Sequence, residues 1–288
     1  MARVIQVPDE FREFDTTTAA ARRHYGLGVP ELKRLIELGL PSRVVEGELV
    51  FDWRDLSSVS GHLGTNTSRR RLMRKWISLI RRAEIAPVTA RISAHASVSG
   101  AQMTEVTVVT PQGERTVAAV NEVRFTWPST VEHRYVGELP PDVAELLLQY
   151  ADVEHYFLPQ QLEDELRLIE EERVADCLSA SYAIHRAATA RGIRSRRGWG
   201  LLVSAPFSIE HAWIEFEIGD QWVPVDLLLA GALIRWGLTD EPLLELAVKM
   251  GALFCRLGDE RTPIMRIGRD ALSPSFWTAL DGPQRTDG

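Results

Sequence analysis

The stretch His211-Ala212-Trp213-Ile214-Glu215-Phe216-Glu217-Ile218-Gly219-Asp220-Gln221-Trp222-Val223-Pro224-Val225-Asp226 reads as two strands joined by a tight turn. Gly219-Asp220 supplies the two central residues, where a short hairpin needs backbone that accepts a positive φ. Ala212, Ile214, Phe216 and Ile218 alternate as an apolar face and belong to a core. The other face, with His211, Trp213, Glu215 and Glu217, is expected to look onto a cleft or solvent. Pairing Ile218 with Gln221 puts Trp213 opposite Asp226 and makes His211 the diagonal neighbour of Asp226 on the same face. Such neighbours lie about 7–8 Å apart at the backbone, within reach of an aspartate-to-imidazole hydrogen bond. A three-residue loop would separate them onto opposite faces.

Upstream, Asp176-Cys177-Leu178-Ser179-Ala180-Ser181-Tyr182-Ala183 has the form of a helix start, with Asp176 as N-cap and Cys177 first in the helix. The positive end of a helix dipole favours a thiolate, and so does a nearby imidazolium. Asp176 opposes this unless its carboxylate is spent on capping. His185 is eight residues along the same helix, about 12 Å away by helical rise, too far to serve Cys177 as a base. Cys177, His211 and Asp226 are therefore the candidate catalytic residues, in the order and local settings that a thiol acyl-transfer enzyme needs.

The 288 residues, 45% of them apolar, suffice for one large domain or two to three small ones. No apolar run approaches the length of a membrane span and the first ten residues have no signal-peptide core, so a soluble cytoplasmic protein with no membrane partner is expected. Two cysteines, Cys177 and Cys255, are too few for a disulfide scaffold. No histidine or cysteine spacing suits a metal, and no cofactor is expected. The net charge of −7 is uneven: residues 1–85 hold 15 Lys/Arg against 11 Asp/Glu, and the remainder 18 against 29. An N-terminal module that meets anionic partners and an acidic body follow from that split.

Three regions emerge: a module over residues 1–85, a small β connector over 86–140 and a catalytic domain over 141–288. In the first, 16–25 and 30–38 read as short helices, the second closed by Gly39 and followed by Pro41. Two strands then turn about Gly47 in 43–51, a turn or helix covers 53–59, and a basic helix runs over 68–82 with an apolar stripe for docking. Period-two alternation in 104–110 and 114–125, about Pro111-Gln112-Gly113, gives the connector a hairpin. Helical segments at 142–150 and 160–172 follow.

Cys177, then Gly192-Ile193-Arg194-Ser195-Arg196 and Gly198-Trp199-Gly200, then His211-Ala212-Trp213-Ile214-Glu215 and Trp222-Val223-Pro224-Val225-Asp226, together resemble the core of the transglutaminase-like superfamily over about 60 residues. Ala205-Pro206-Phe207 leading to His211 also resembles the lasso-peptide leader peptidase branch. The resemblance implies an α+β, papain-like fold in which a cysteine at a helix N-terminus meets histidine and aspartate from a sheet, with Cys177 as nucleophile, His211 as general base and then acid, and Asp226 as orienter of the imidazole. Here Asp176 precedes the cysteine and Leu227-Leu228-Leu229 follows the aspartate, both departures from that pattern. The run Ala19-Ala20-Ala21-Arg22-Arg23 through Leu32-Lys33-Arg34-Leu35-Ile36-Glu37-Leu38-Gly39-Leu40 to Phe51-Asp52-Trp53-Arg54-Asp55-Leu56 resembles a winged helix-turn-helix of the MerR and excisionase type. Glu31 and Glu37 on its reading helix and Glu46 and Glu48 on its wing would repel phosphates, so DNA is not the favoured partner.

The expected protein is thus a cysteine hydrolase or acyl transferase acting on an amide, ester or thioester of a peptide, protein or carrier-bound substrate. A DNA-binding regulator with a transglutaminase-like sensor or scaffold, and an amide-forming biosynthetic enzyme, are the alternatives. The oxyanion would need the Cys177 backbone N–H and a second donor, for which Trp199, Tyr156 and Gln161 are candidates.

Overall fold

A computed structural model describes residues 8–65, 67–100, 102–133, 135, 137–163 and 165–281. Residues 1–7, within the segment that lacks a signal-peptide core, lie outside the described residues. The architecture is α+β, and no helix among the described residues is long and apolar enough to cross a membrane.

The hairpin forms with the register its turn dictates: Ile218 faces Gln221, Phe216 faces Val223 and Ile214 faces Val225, with Gly219 at φ +61°. Its first strand, Phe207–Ile218, is the hub of a seven-stranded antiparallel sheet. On one side it pairs with Ser195–Leu202, which pairs in turn with Phe254–Gly258. On the other it meets Gln221–Val225 near its C-terminal end and Ser275–Leu280 near its N-terminal end. Val88–Ser97 and Glu122–Val131 continue the sheet beyond Ser275–Leu280. Two long strands from residues 86–140 thus join the central sheet through the distant strand Ser275–Leu280, while the expected hairpin, Thr104–Thr110 with Gly113–Ala119, lies in a separate four-stranded sheet. The 114–125 run is also divided: Gly113–Ala119 and Glu122–Val131 are separate strands broken at Asn121, whose φ is +63°.

Close approach shapes the Gly198-Trp199-Gly200 segment. A Cβ on Gly198 would fall 2.3 Å from the Trp213 indole Nε1, and one on Gly200 would fall 2.1 Å from the Cys255 carbonyl oxygen. Only hydrogen fits at either place.

The N-terminal module has its own small core of Ala21, Leu27, Leu32, Leu40, Phe51 and Leu56. Its sheet has three strands where the sequence pattern gives two: Phe14–Thr17 pairs with Glu48–Asp52, which pairs with Arg43–Val45. Thr16 and Thr17 take strand geometry because that non-local partner is present, and the helix starts only at Thr18, with the Thr17 hydroxyl accepting from the Ala20 N–H. Helix Trp53–Leu63 is capped by Asp52 and closed by Gly64 at φ +66°. Helix Ser68–Ile85 buries Met73, Trp76, Ile77, Leu79, Ile80 and Ala83 in the main core, not in that of the module. The structural seam therefore falls before this helix, ahead of the boundary at 85 that charge suggests, since charge reports its solvated face and the apolar stripe decides its partner.

Across the seam, Asp55 of helix Trp53–Leu63 is 2% exposed and accepts from the Tyr156 hydroxyl at 2.7 Å and from Arg12 Nε at 3.1 Å. Tyr156→Phe removes one donor from a buried carboxylate. A loss of about 1–3 kcal/mol in stability is expected, checked by urea denaturation of the full chain.

Candidate active site

Strand Val174–Ala175 enters the site by pairing in parallel with Glu154–His155 and hands the chain to helix Cys177–Ala190. That helix starts where the capping residues stand: Asp176 Oδ1 accepts from the Ser179 N–H at 2.8 Å, and the Ser179 hydroxyl receives the Asp176 N–H at 3.0 Å. It ends at Arg191, with Gly192 next at φ +70°. Cys177 is the first helical residue, half-buried, with no disulfide.

Asp226 ends the hairpin and is itself the N-cap of helix Leu227–Arg235. Its two oxygens divide the work. Oδ1 accepts from the Leu229 N–H at 2.9 Å, and Oδ2 lies 2.5 Å from His211 Nε2. The charge of Cys177 also bears on the imidazole, so the thiol lies within electrostatic range of the ring. The three residues singled out in the sequence are brought together, with His211 and Asp226 each 5% exposed.

Electrostatics around His211 oppose one another. Burial is the largest single influence and favours the neutral ring, but the negative charges of Cys177 and Asp226 and the hydrogen bond to Asp226 outweigh it. The net effect raises the pKa of the ring above its ordinary value, favouring imidazolium.

The face expected to look onto a cleft or solvent is covered. Glu215, 4% exposed, receives the Trp213 indole N–H at 2.9 Å and pairs with Arg196 at 2.6 Å and Arg256 at 3.2 Å. Trp213 stacks on Phe254 at 4.5 Å between ring centres, and His211 lies 5.5 Å from the same ring. The strand alternates as read, but Phe254 and Arg256 arrive from a strand far downstream and roof its second face.

Of the candidate oxyanion donors, Tyr156 is committed to Asp55 and Gln161 is exposed. Trp199 Nε1 is buried with no partner among the described residues, so it alone of the three retains a free buried donor. His185 bonds Ser195 Oγ at 2.9 Å, away from this chemistry. Sequence reasoning missed His155. Its half-buried ring feels both Asp226 and His211, and desolvation first, then the Arg69 guanidinium, push its pKa down to about 4. Nothing local marks it: only the parallel pairing with Val174–Ala175 carries His155 to the site.

No protein-family model matches the chain, and no curated protein matches it either.

Beside the thiol, burial pushes the Asp176 carboxyl up to about 6, against the opposing hydrogen bonds from Ser179. A folded-state value above the unfolded one means that burial of the charged form costs nothing below about pH 4. The cost grows from about pH 4 to 6 and stands in full above that. Asp176→Asn keeps an N-cap oxygen without the charge. It is expected to raise stability at about pH 7.5 by roughly 1–3 kcal/mol. The gain should vanish towards about pH 4, measured as denaturation midpoints across pH.

Proposed function

We propose that the chain is a thiol-dependent amidase or acyl transferase of transglutaminase-like, papain-like type, with Cys177 as nucleophile, His211 as proton carrier and Asp226 as orienter. The observation that carries this reading is the convergence of half-buried Cys177 on the buried His211–Asp226 pair, in which the carboxylate that caps a helix also holds the imidazole. A buried aspartate–imidazole pair beside a cysteine at a helix start is the arrangement that nucleophilic thiol chemistry needs.

In the forward step the Cys177 sulfur attacks the carbonyl carbon of an amide, and His211 gives its proton to the nitrogen as the C–N bond breaks. The amine departs and a thioester remains on Cys177. Water, or an amine acceptor, then loses a proton to His211 as it attacks the thioester carbon, and the thiolate leaves. Asp226 fixes the tautomer and balances the imidazolium. The Cys177 backbone N–H, at a helix start, is the donor suited to the oxyanion.

The N-terminal module is proposed to be winged-helix-like and to present a peptide, protein or carrier-bound substrate. Glu31, Glu37, Glu46 and Glu48 are all exposed on it, which disfavours a phosphate backbone as its partner.

Iodoacetamide labelling, read separately at Cys177 and Cys255 by mass spectrometry, tests the relay. Rapid modification of Cys177 at about pH 6 is expected, slowed at least about tenfold in His211→Ala. The buried Cys255, whose thiol burial pushes up, should react slowly at that pH. Labelling of Cys177 that climbs only towards about pH 8.5 and is indifferent to His211→Ala refutes the proposal. A trapped acyl-enzyme mass on Cys177 would identify the acyl donor.

A further inference from the structure

Where the N-terminal module meets the central core, a cavity of about 40 Å³ is lined on one side by helix Trp53–Leu63 and on the other by the first turn of helix Ser68–Ile85. Ser57 is 5% exposed, and its Oγ has no hydrogen-bond partner among the described residues. Its neighbour one turn on is different: the Ser60 hydroxyl is satisfied by Thr65 Oγ1 at 2.6 Å. An unpaired buried hydroxyl that lines a cavity is a group waiting for an acceptor or donor.

The charge of the cavity says which. Arg69 and Arg70 line it, and no carboxylate does. Arg69 lies 4.3 Å over the Phe157 ring and makes no ion pair among the described residues, while Arg70 Nε is buried without a partner. Burial pushes the pKa of the Arg69 guanidinium down, as it does for a cation withdrawn from water without a counter-charge, while a smaller desolvation and the neighbouring Arg74 lower that of Arg70. The start of an 18-residue helix adds its own attraction for negative charge. Thr67 caps that helix by accepting from the Arg70 N–H at 3.1 Å. Trp236 forms part of the wall and presses so closely on Gly61 that a Cβ there would come within 2.7 Å of the indole.

We propose that this cavity binds a small oxyanion, either phosphate or the phosphoryl group of a small monoester, held by Arg69, Arg70 and the Ser57 hydroxyl. The space accommodates about three waters' worth of atoms, the size of one tetrahedral anion. A doubly charged ion with several acceptor oxygens matches two guanidiniums and a hydroxyl better than a planar carboxylate does. The site is independent of the thiol chemistry, yet it reaches towards it. Arg69 stacks on Phe157, Phe157 meets His155 edge-on at 4.8 Å, and His155 senses Asp226 and His211. Occupancy would pin module and core together behind the relay.

Calorimetric titration of the full chain with inorganic phosphate and, separately, phenyl phosphate, at ionic strength held constant with chloride, tests the site. Saturable binding is expected, weakened at least about tenfold by Arg70→Gln and several-fold by Ser57→Ala. Ser57→Ala breaks no bond in the folded protein, so its melting temperature without phosphate should match that of the unaltered chain. Binding of inorganic phosphate alone identifies the free ion as ligand; phenyl phosphate binding at least as tightly identifies a monoester. No saturable binding of either overturns the proposal, as does Ser57→Ala binding with unchanged affinity.

Discussion

Asp226 meets two demands with one carboxylate, and the site depends on that division. Oδ1 closes the first turn of helix Leu227–Arg235 and Oδ2 holds the imidazole of His211. The cap fixes the side-chain rotamer, so the second oxygen is aimed before any substrate arrives. The backbone of Asp226 is anchored as well, its N–H donating to the Ala247 carbonyl at 3.0 Å. Helix, hairpin and imidazole are thus tied at a single residue. Removing the carboxylate would unseat all three, because a buried imidazolium without its counter-charge is unfavourable.

The surroundings of the relay work by exclusion of water. Glu215 joins two arginines to Trp213, Trp213 stacks on Phe254, and Phe254 covers His211. A drier setting strengthens every charge interaction within it, which is why His211 gains more from Cys177 and Asp226 than it loses to burial. Glycine at 198 is the condition for this roof, since the Trp213 indole occupies the space of its missing Cβ.

Module and core are joined by a seam that is polar at one end and aromatic at the other. Asp55 gathers Tyr156 and Arg12, while Trp53 and Phe157 pack at 5.5 Å and His62 approaches Trp236 at 6.5 Å. The row continues through His155 to within electrostatic range of the relay. A change at the module therefore has a short physical route to the candidate catalytic groups.

Local chemistry determined a good deal from the sequence alone. The Gly219-Asp220 turn set the register that put His211 and Asp226 on one face, and Asp176 marked the start of the cysteine helix, since turns and caps are decided by a few adjacent residues. Tertiary structure decided what sequence neighbours cannot report. Ser275–Leu280 links residues 86–140 to the central sheet, Phe14–Thr17 becomes a strand only beside Glu48–Asp52, and Phe254 turns an alternating strand into one buried on both faces. His155 and the Ser57 cavity belong to the same class. Strand pairing and burial depend on segments distant in sequence, and the energy of such contacts is written in no single stretch of the chain.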